Sequence, residues 1–153
     1  MTKDVEIKAN FNVAAKSKKD IIKTIVDKSI ELNILKKEDR STIIEAFLDR
    51  EDKGTTGLVD GYAIPHAEHE KIREPLLLIL RLENSIDWES MDGEPVNYIF
   101  SILVPTKDKG TAHLKILSDI AKMLMKDEAK DKLSTASSEE DILTVIDQFT
   151  SIK

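Results

Sequence analysis

Residues 75–105, PLLLILRLENSIDWESMDGEPVNYIFSILVP, contain two continuous apolar runs joined by a polar segment. Neither PLLLILRL nor VNYIFSILVP alternates between apolar and polar residues, so both runs predict strands that are covered on both faces. Both are also far too short to cross a bilayer as helices. The Asp92-Gly93 dipeptide between them predicts a turn. The two runs therefore indicate a central sheet between layers of helices.

The segments on either side of this pair supply the covering layers. Apolar residues recur at helical spacing in one segment after Ser17, in a second between the last strand and Ser138, and in a third after Ser138. Ser17 and Ser138 both suit helix N-caps. The pattern predicts a strand at 5–14, helices at 18–32 and 36–52, a short strand at 62–65, the two long strands, and helices at 111–126 and 138–149. We therefore expect one α/β domain over residues 1–153, with a mixed β-sheet flanked by α-helices on both faces.

Composition narrows the classes of function. The chain has 153 residues and a net charge of -6, and its basic residues are not clustered, which argues against nucleic acid as a partner. It contains no cysteine, which excludes disulfides, thiolate zinc sites and cysteine nucleophiles. The start of the sequence has no secretory pattern, so we expect a cytoplasmic protein.

The stretch TTGLVDGYAIPHAEHE, residues 55–70, is the strongest candidate for a site. Pro65 fixes its own φ and pushes Ile64 toward an extended backbone, so His66 should leave a short strand in a set direction, exposed to solvent. Glycines in the loop before it permit a sharp turn whose N–H groups could contact an anion, and Thr56 and Gly57 are the best placed.

Two more residues could reach the same place. Arg50 ends the second predicted helix, and a guanidinium suits forked contact with phosphate or carboxylate. His113 stands in the first turn of the helix after the last strand, where free N–H groups attract anions. Together with His66, these residues predict an anion-binding site, provided that they converge in space.

The motifs REDKGTTGLVDGYAIPH and VNYIFSILVP, with the later HLKILSDIAKML, resemble one family across nearly the whole chain. They are similar to enzyme IIA domains of the fructose/mannitol type, from the bacterial phosphoenolpyruvate-dependent sugar phosphotransferase system. The resemblance rests on Arg-Glu, Thr-Gly, Ala-Ile-Pro-His, a Trp near Asp-Gly-x-Pro-Val, and His-Leu, in that order.

The resemblance implies a phosphotransferase component that works through a phosphohistidine. His66 matches the residue that accepts a phosphoryl group from the phosphocarrier protein HPr and passes it to a cysteine of a IIB protein. His113 matches a second active-site histidine and Arg50 an active-site arginine, both stabilising the phosphoryl charge. We expect IIB and the membrane component IIC to be separate chains, and the transfer to need no metal and no cofactor. The sugar is not identified.

Two other interpretations also involve His66. A nitrogen-related regulatory IIA protein, which acts by phosphorylation-dependent binding of partners, would use the same histidine. A zinc site built from His66, His69 and His113 is disfavoured, because Pro65 precedes the first histidine and no helical His-Glu-x-x-His motif is present. Glu51 is expected to pair with a cation and Trp88 to pack internally. For partner docking, Leu58, Val59 and Tyr62 are the candidate surface residues.

Overall fold

The computed structural model describes residues 5–106 and 112–152, with the backbone alone at 112 and 113. Its strands are β1 (Glu6–Val13), β2 (Tyr62–Ala63), β3 (His66–His69), β4 (Leu76–Ile86) and β5 (Val96–Pro105). Its helices are α1 (Lys18–Glu31), α2 (Arg40–Asp52), α3 (Ala112–Met123), α4 (Asp127–Thr135) and α5 (Glu139–Phe149), and a short 3-10 turn at Lys37–Asp39 leads into α2.

The strands form one mixed sheet in the order β1-β4-β5-β2, and β3 pairs with β5 beyond β2. β1 runs parallel to β4, whereas β4 and β5 are antiparallel. Both β2 and β3 run parallel to β5. The two long apolar runs are thus the central strands β4 and β5, as predicted.

Successive residues of β4 enter two different cores, which is why this strand is apolar throughout. Leu76 and Leu78 pack in one cluster with Phe47 and the buried face of α1. Leu77 and Ile79 pack in the other with apolar residues of α3, α4 and α5, among them Ile120. Helices therefore cover both faces of the sheet, and the predicted fold class is confirmed.

The sequence pattern did not predict two of the elements, α4 and β3. α4 begins within the charge run KDEAKDK, residues 126–132, whose pattern fits either a solvated helix face or a connector, and its buried side chains are Ala129 and Leu133. β3, with the sequence HAEH, has no apolar alternation and gains its strand conformation from pairing with β5. In both cases contacts distant in sequence, rather than local preference, decide the structure.

The predicted caps are present. Ser17 Oγ accepts a hydrogen bond from the Asp20 N–H at 3.1 Å, and Ser138 Oγ accepts one from the Asp141 N–H at 3.2 Å. Each bond satisfies one of the free N–H groups at a helix start. The turn between β4 and β5 is also as predicted: Gly93 has φ 75, and its N–H donates to the Ser90 carbonyl at 3.0 Å.

Candidate functional site

The candidate site lies where one edge of the sheet is interrupted. β2 pairs with β5 through Ala63 and Ile99, and β3 resumes this pairing at His66 and Ile102. Ile64 and Pro65 stand between the two pieces. The Ile64 N–H donates to the Thr56 carbonyl at 3.0 Å rather than to β5, and Pro65 has no N–H to donate. His66 is the first residue after this interruption.

The hydrogen bonds of the His66 ring identify its protonated nitrogen. Nδ1 lies 2.9 Å from the carbonyl oxygen of Ile64, which can only accept a hydrogen bond, so Nδ1 carries a proton. Nε2 lies 3.1 Å from Arg50 Nε, which can only donate, so Nε2 holds a lone pair. The ring is therefore neutral, and Nε2 is its nucleophilic atom. The sequence left open which group fixes this tautomer; the group is the Ile64 carbonyl.

His66 is 7% exposed, so the expectation of an exposed imidazole is wrong. The ring is held against its own strand by the Ile64 carbonyl, while the Arg50 guanidinium covers Nε2. Nε2 therefore faces the guanidinium of Arg50.

Arg50 itself is held by the end of its helix. One terminal nitrogen, Nη1, donates to the Gly54 carbonyl at 2.8 Å, just beyond the predicted helix stop, while Nε points to His66. Gly54 has φ 146, a conformation that a side chain would strain. A cation at the C-terminal end of a helix is also favoured by the helix dipole. Arg50 and His66 are thus brought together as predicted.

The predicted phosphate-binding role of Thr56 and Gly57 is not supported by this arrangement. The Thr56 N–H donates to Glu51 Oε1 at 3.3 Å, and the Gly57 N–H donates to Thr55 Oγ1 at 3.0 Å. An ideal Cβ on Gly57 would lie 2.8 Å from the Cα of Ser90, so the glycine permits close packing of two segments. Both residues hold the loop in place.

The predicted docking residues surround a tight hairpin. Asp60 and Gly61 both have positive φ, at 62 and 89, as in a two-residue type I′ turn. Val59 is 42% exposed at its tip and Leu58 is half-buried. Tyr62 is 5% exposed and stacks on Tyr98 with ring centroids 5.4 Å apart, so the docking prediction is wrong for Tyr62. Burial also raises the pKa of Tyr62 above its ordinary value.

Two structural expectations are confirmed beside the site. Glu51 pairs with Lys18, whose Nζ lies 3.1 Å from Oε1. Trp88 is fully buried in the core against α1 and α2. Its indole N–H donates to Thr56 Oγ1 at 3.1 Å, a contact that the sequence pattern did not indicate.

The structure describes His69 completely but only the backbone of His113. The side chain of His113 lies outside the described residues, so its convergence with His66 stays a prediction; its backbone is in the first turn of α3. His69 ends β3, and its Nδ1 accepts a hydrogen bond from the Lys71 N–H at 3.0 Å. Residues three apart in a strand point to opposite faces, so His66 and His69 do not converge.

The described residues contain neither a metal cluster nor a membrane-spanning helix. Among those side chains, no group of three or more His, Cys, Asp or Glu residues is placed to hold a metal ion. In the same ranges, no helix combines the length and apolar character needed to cross a membrane.

Comparison with known proteins identifies relatives over most of the chain. Residues 6–149 match the family model described as phosphoenolpyruvate-dependent sugar phosphotransferase system, EIIA 2. The PTS system fructose-specific EIIA component of Haloferax volcanii is 32% identical over 85% of this chain and 82% of its own length. The fructose-specific EIIABC component of Bacillus subtilis is 35% identical over 90% of this chain, which spans 21% of that longer protein.

A solved structure agrees with the sequence relatives. The nitrogen regulatory protein IIA-Ntr from Neisseria meningitidis has a TM-score of 0.78 and 26% identity, covering 92% of each chain. The two chains therefore share a fold over most of their length.

Proposed function

Because the chain belongs to the EIIA 2 family of the phosphoenolpyruvate-dependent sugar phosphotransferase system, we propose that it carries phosphoryl groups on His66. In this cycle Nε2 of His66 receives a phosphoryl group from phospho-HPr and passes it to a cysteine of a IIB protein. IIB then phosphorylates a sugar that enters through the membrane component IIC. The cycle runs in the cytoplasm.

The observation that carries this proposal is the hydrogen-bonded state of the His66 ring. A neutral imidazole with its proton on Nδ1 presents the Nε2 lone pair, which is the form required for nucleophilic attack. The Ile64 carbonyl holds that proton in place throughout the transfer. It also stabilises the positive charge that the ring gains when Nε2 bonds to phosphorus.

In each half of the transfer, one bond to phosphorus forms as another breaks, and neither step requires a metal or an activated water. The Nε2 lone pair forms a bond to phosphorus while the donor's nitrogen–phosphorus bond breaks and its electron pair returns to the donor. Arg50 Nε–H, which now donates to Nε2, turns to a phosphoryl oxygen. In the second half, a IIB thiolate forms the sulfur–phosphorus bond and the electron pair returns to Nε2. The main demands on the protein are positioning and charge stabilisation.

Reconstitution with phosphoenolpyruvate, enzyme I and HPr tests the acceptor. We expect about one acid-labile phosphate per wild-type chain and none on His66→Ala, because the variant lacks the nucleophilic nitrogen. His69→Ala is the matched control, since it removes a histidine three residues away whose ring does not contact Arg50. Phosphate that persists on His66→Ala would refute the assignment.

A second candidate is a regulatory role, favoured by the similarity to the nitrogen regulatory protein of Neisseria meningitidis. Such a protein uses its phosphorylation state to select binding partners. The two functions differ in the fate of the phosphoryl group. If the chain is a carrier, the phosphoryl group on His66 should move to a cysteine of at least one protein when a panel of purified IIB proteins is added to the phosphorylated chain. A stable phosphohistidine with every IIB would favour the regulatory role.

A further inference from the structure

A buried network beside the site centres on the Glu51 carboxylate, whose side chain is 6% exposed. Oε1 accepts hydrogen bonds from Lys18 Nζ at 3.1 Å and from the Thr56 N–H at 3.3 Å. Oε2 accepts from the Thr56 hydroxyl. Glu51 thus joins α2 to the loop that precedes the hairpin, and it does so through both the main chain and the side chain of Thr56.

The direction of these hydrogen bonds is fixed. An indole N–H can only donate, so the bond from Trp88 Nε1 occupies a lone pair of Thr56 Oγ1. The single hydroxyl proton of Thr56 is thereby directed to Glu51, which as a carboxylate can only accept. A buried network whose members all have partners favours one arrangement of its surroundings.

The network meets the active site at two points. Glu51 follows Arg50 in the last turn of α2, and Arg50 donates to Nε2 of His66. On the other side, the Thr56 carbonyl accepts a hydrogen bond from the Ile64 N–H at 3.0 Å, and the Ile64 carbonyl accepts from Nδ1 of His66. The groups that hold the two ring nitrogens are therefore linked to each other through Glu51 and Thr56.

We propose that Glu51 and Thr56 are positioning residues for phosphoryl transfer at His66. Their contact fixes the end of α2 relative to the Ile64 peptide, so that the ring receives both hydrogen bonds together. Loosening it lets the Ile64 carbonyl move away from Nδ1, and the ring then samples the tautomer with the proton on Nε2, which cannot attack phosphorus. The kinetic part of this inference rests on the proposed function.

Thr56→Val is the sharpest test because it removes the hydroxyl and keeps the shape of the side chain. Ser29→Ala is the matched control: it removes another buried hydroxyl, which donates to the Ile25 carbonyl at 2.7 Å within α1 and has no contact with the site. Thr56→Ser should keep the network, because serine retains the hydroxyl that contacts Glu51 and Trp88. Glu51→Gln provides a second variant if Thr56→Val does not fold, since an amide retains one acceptor oxygen.

Two measurements decide the outcome. The ¹⁵N shifts of the His66 ring should report one tautomer, protonated at Nδ1, in the wild type, Ser29→Ala and Thr56→Ser, and a mixture in Thr56→Val and Glu51→Gln. The maximal rate of phosphorylation by phospho-HPr should fall about 10- to 100-fold in the last two, as expected for misplacement of a reacting group. The HPr concentration that gives half of the maximal rate should change little in these two variants.

A merely structural role predicts something else. Thr56→Val would then keep the wild-type tautomer and a rate within about twofold of Ser29→Ala, and that result would overturn the inference, as would a change in tautomer with no change in rate. If the wild-type chain accepts no phosphoryl group from phospho-HPr, the proposed function fails. The tautomer comparison needs no partner protein, so it would still decide whether Glu51 and Thr56 set the state of the ring.

Discussion

Replacing Arg50 with methionine removes a donor that lies 3.1 Å from Nε2 of His66, with little change in side-chain length. The Nδ1 bond to the Ile64 carbonyl is untouched, so the ring should keep its reactive tautomer. The expected effect is on the rate of phosphoryl transfer. The guanidinium gives up a hydrogen bond to a neutral nitrogen and gains one to a phosphoryl oxygen, and the variant loses the difference between the two.

The size of that difference follows from typical values. A well-placed donor to a developing oxyanion contributes about 3–4 kcal/mol to the barrier. The bond to neutral Nε2 in the resting state contributes about 1 kcal/mol and must be subtracted. The remaining 2–3 kcal/mol, approximately, corresponds to a rate about 30- to 160-fold lower. The transfer rate of Arg50→Lys should lie between those of the wild type and Arg50→Met. Lysine keeps the positive charge, but it cannot bond to His66 and to the Gly54 carbonyl at once as the planar guanidinium does.

Rapid-quench phosphorylation by phospho-HPr measures this rate directly. Arg40→Met is the control, because Arg40 begins the same helix but pairs with Asp27 on the surface, with Nε 2.6 Å from Oδ1. Its transfer rate should equal that of the wild type. An Arg50→Met rate within about threefold of wild type would refute the view that Arg50 stabilises the transferred group, because the lost interaction would then be worth less than about 1 kcal/mol.

Three further predictions concern stability, each measured by urea unfolding. Gly57→Ala should cost about 1–3 kcal/mol, since its Cβ would lie 2.8 Å from the Cα of Ser90; an unchanged midpoint would contradict this packing. Ser138→Ala should cost about 1 kcal/mol through loss of the N-cap bond to Asp141, and no loss would mean that the cap is replaced by water. Burial raises the pKa of Tyr98 from its ordinary 10.0 to about 12. Below pH 10 the tyrosine is neutral in both the folded and the unfolded chain, and its contribution to the free energy of unfolding is complete. As the pH rises toward 12, ionisation in the unfolded chain reduces that contribution. Tyr98→Phe should show a smaller drop in midpoint between pH 9 and pH 11 than wild type, and an equal drop would refute this origin.

The layered fold could be predicted from sequence because it depends on local pattern. Two runs without polar alternation require cover on both sides, and Leu76 and Leu77 do enter separate cores. The Ser17 and Ser138 caps were also predictable, since their chemistry lies within a few residues. β3 was missed because nothing in HAEH favours a strand until β5 supplies the pairing.

The site could be predicted in part. The motif placed His66 after Pro65 and associated it with Arg50, and the structure brings the two side chains into contact. The burial of His66 was missed because an end-of-strand position does not reveal that a residue 16 positions earlier covers the ring. The hydrogen bond from Trp88 to Thr56 was not predicted, because the two residues are 32 positions apart. Such long-range hydrogen bonds have no signature in the local sequence.

His66 lies at one edge of the sheet, and β1 forms the opposite edge. Three strand-to-strand steps of about 4.8 Å put roughly 14 Å between the two edges. Glu6 is an exposed residue of β1, and the chain has no cysteine, so Glu6→Cys would create a single thiol for attachment of a fluorophore. If HPr delivers the phosphoryl group to His66 as proposed, the anisotropy of that dye would report HPr binding from the opposite edge of the sheet.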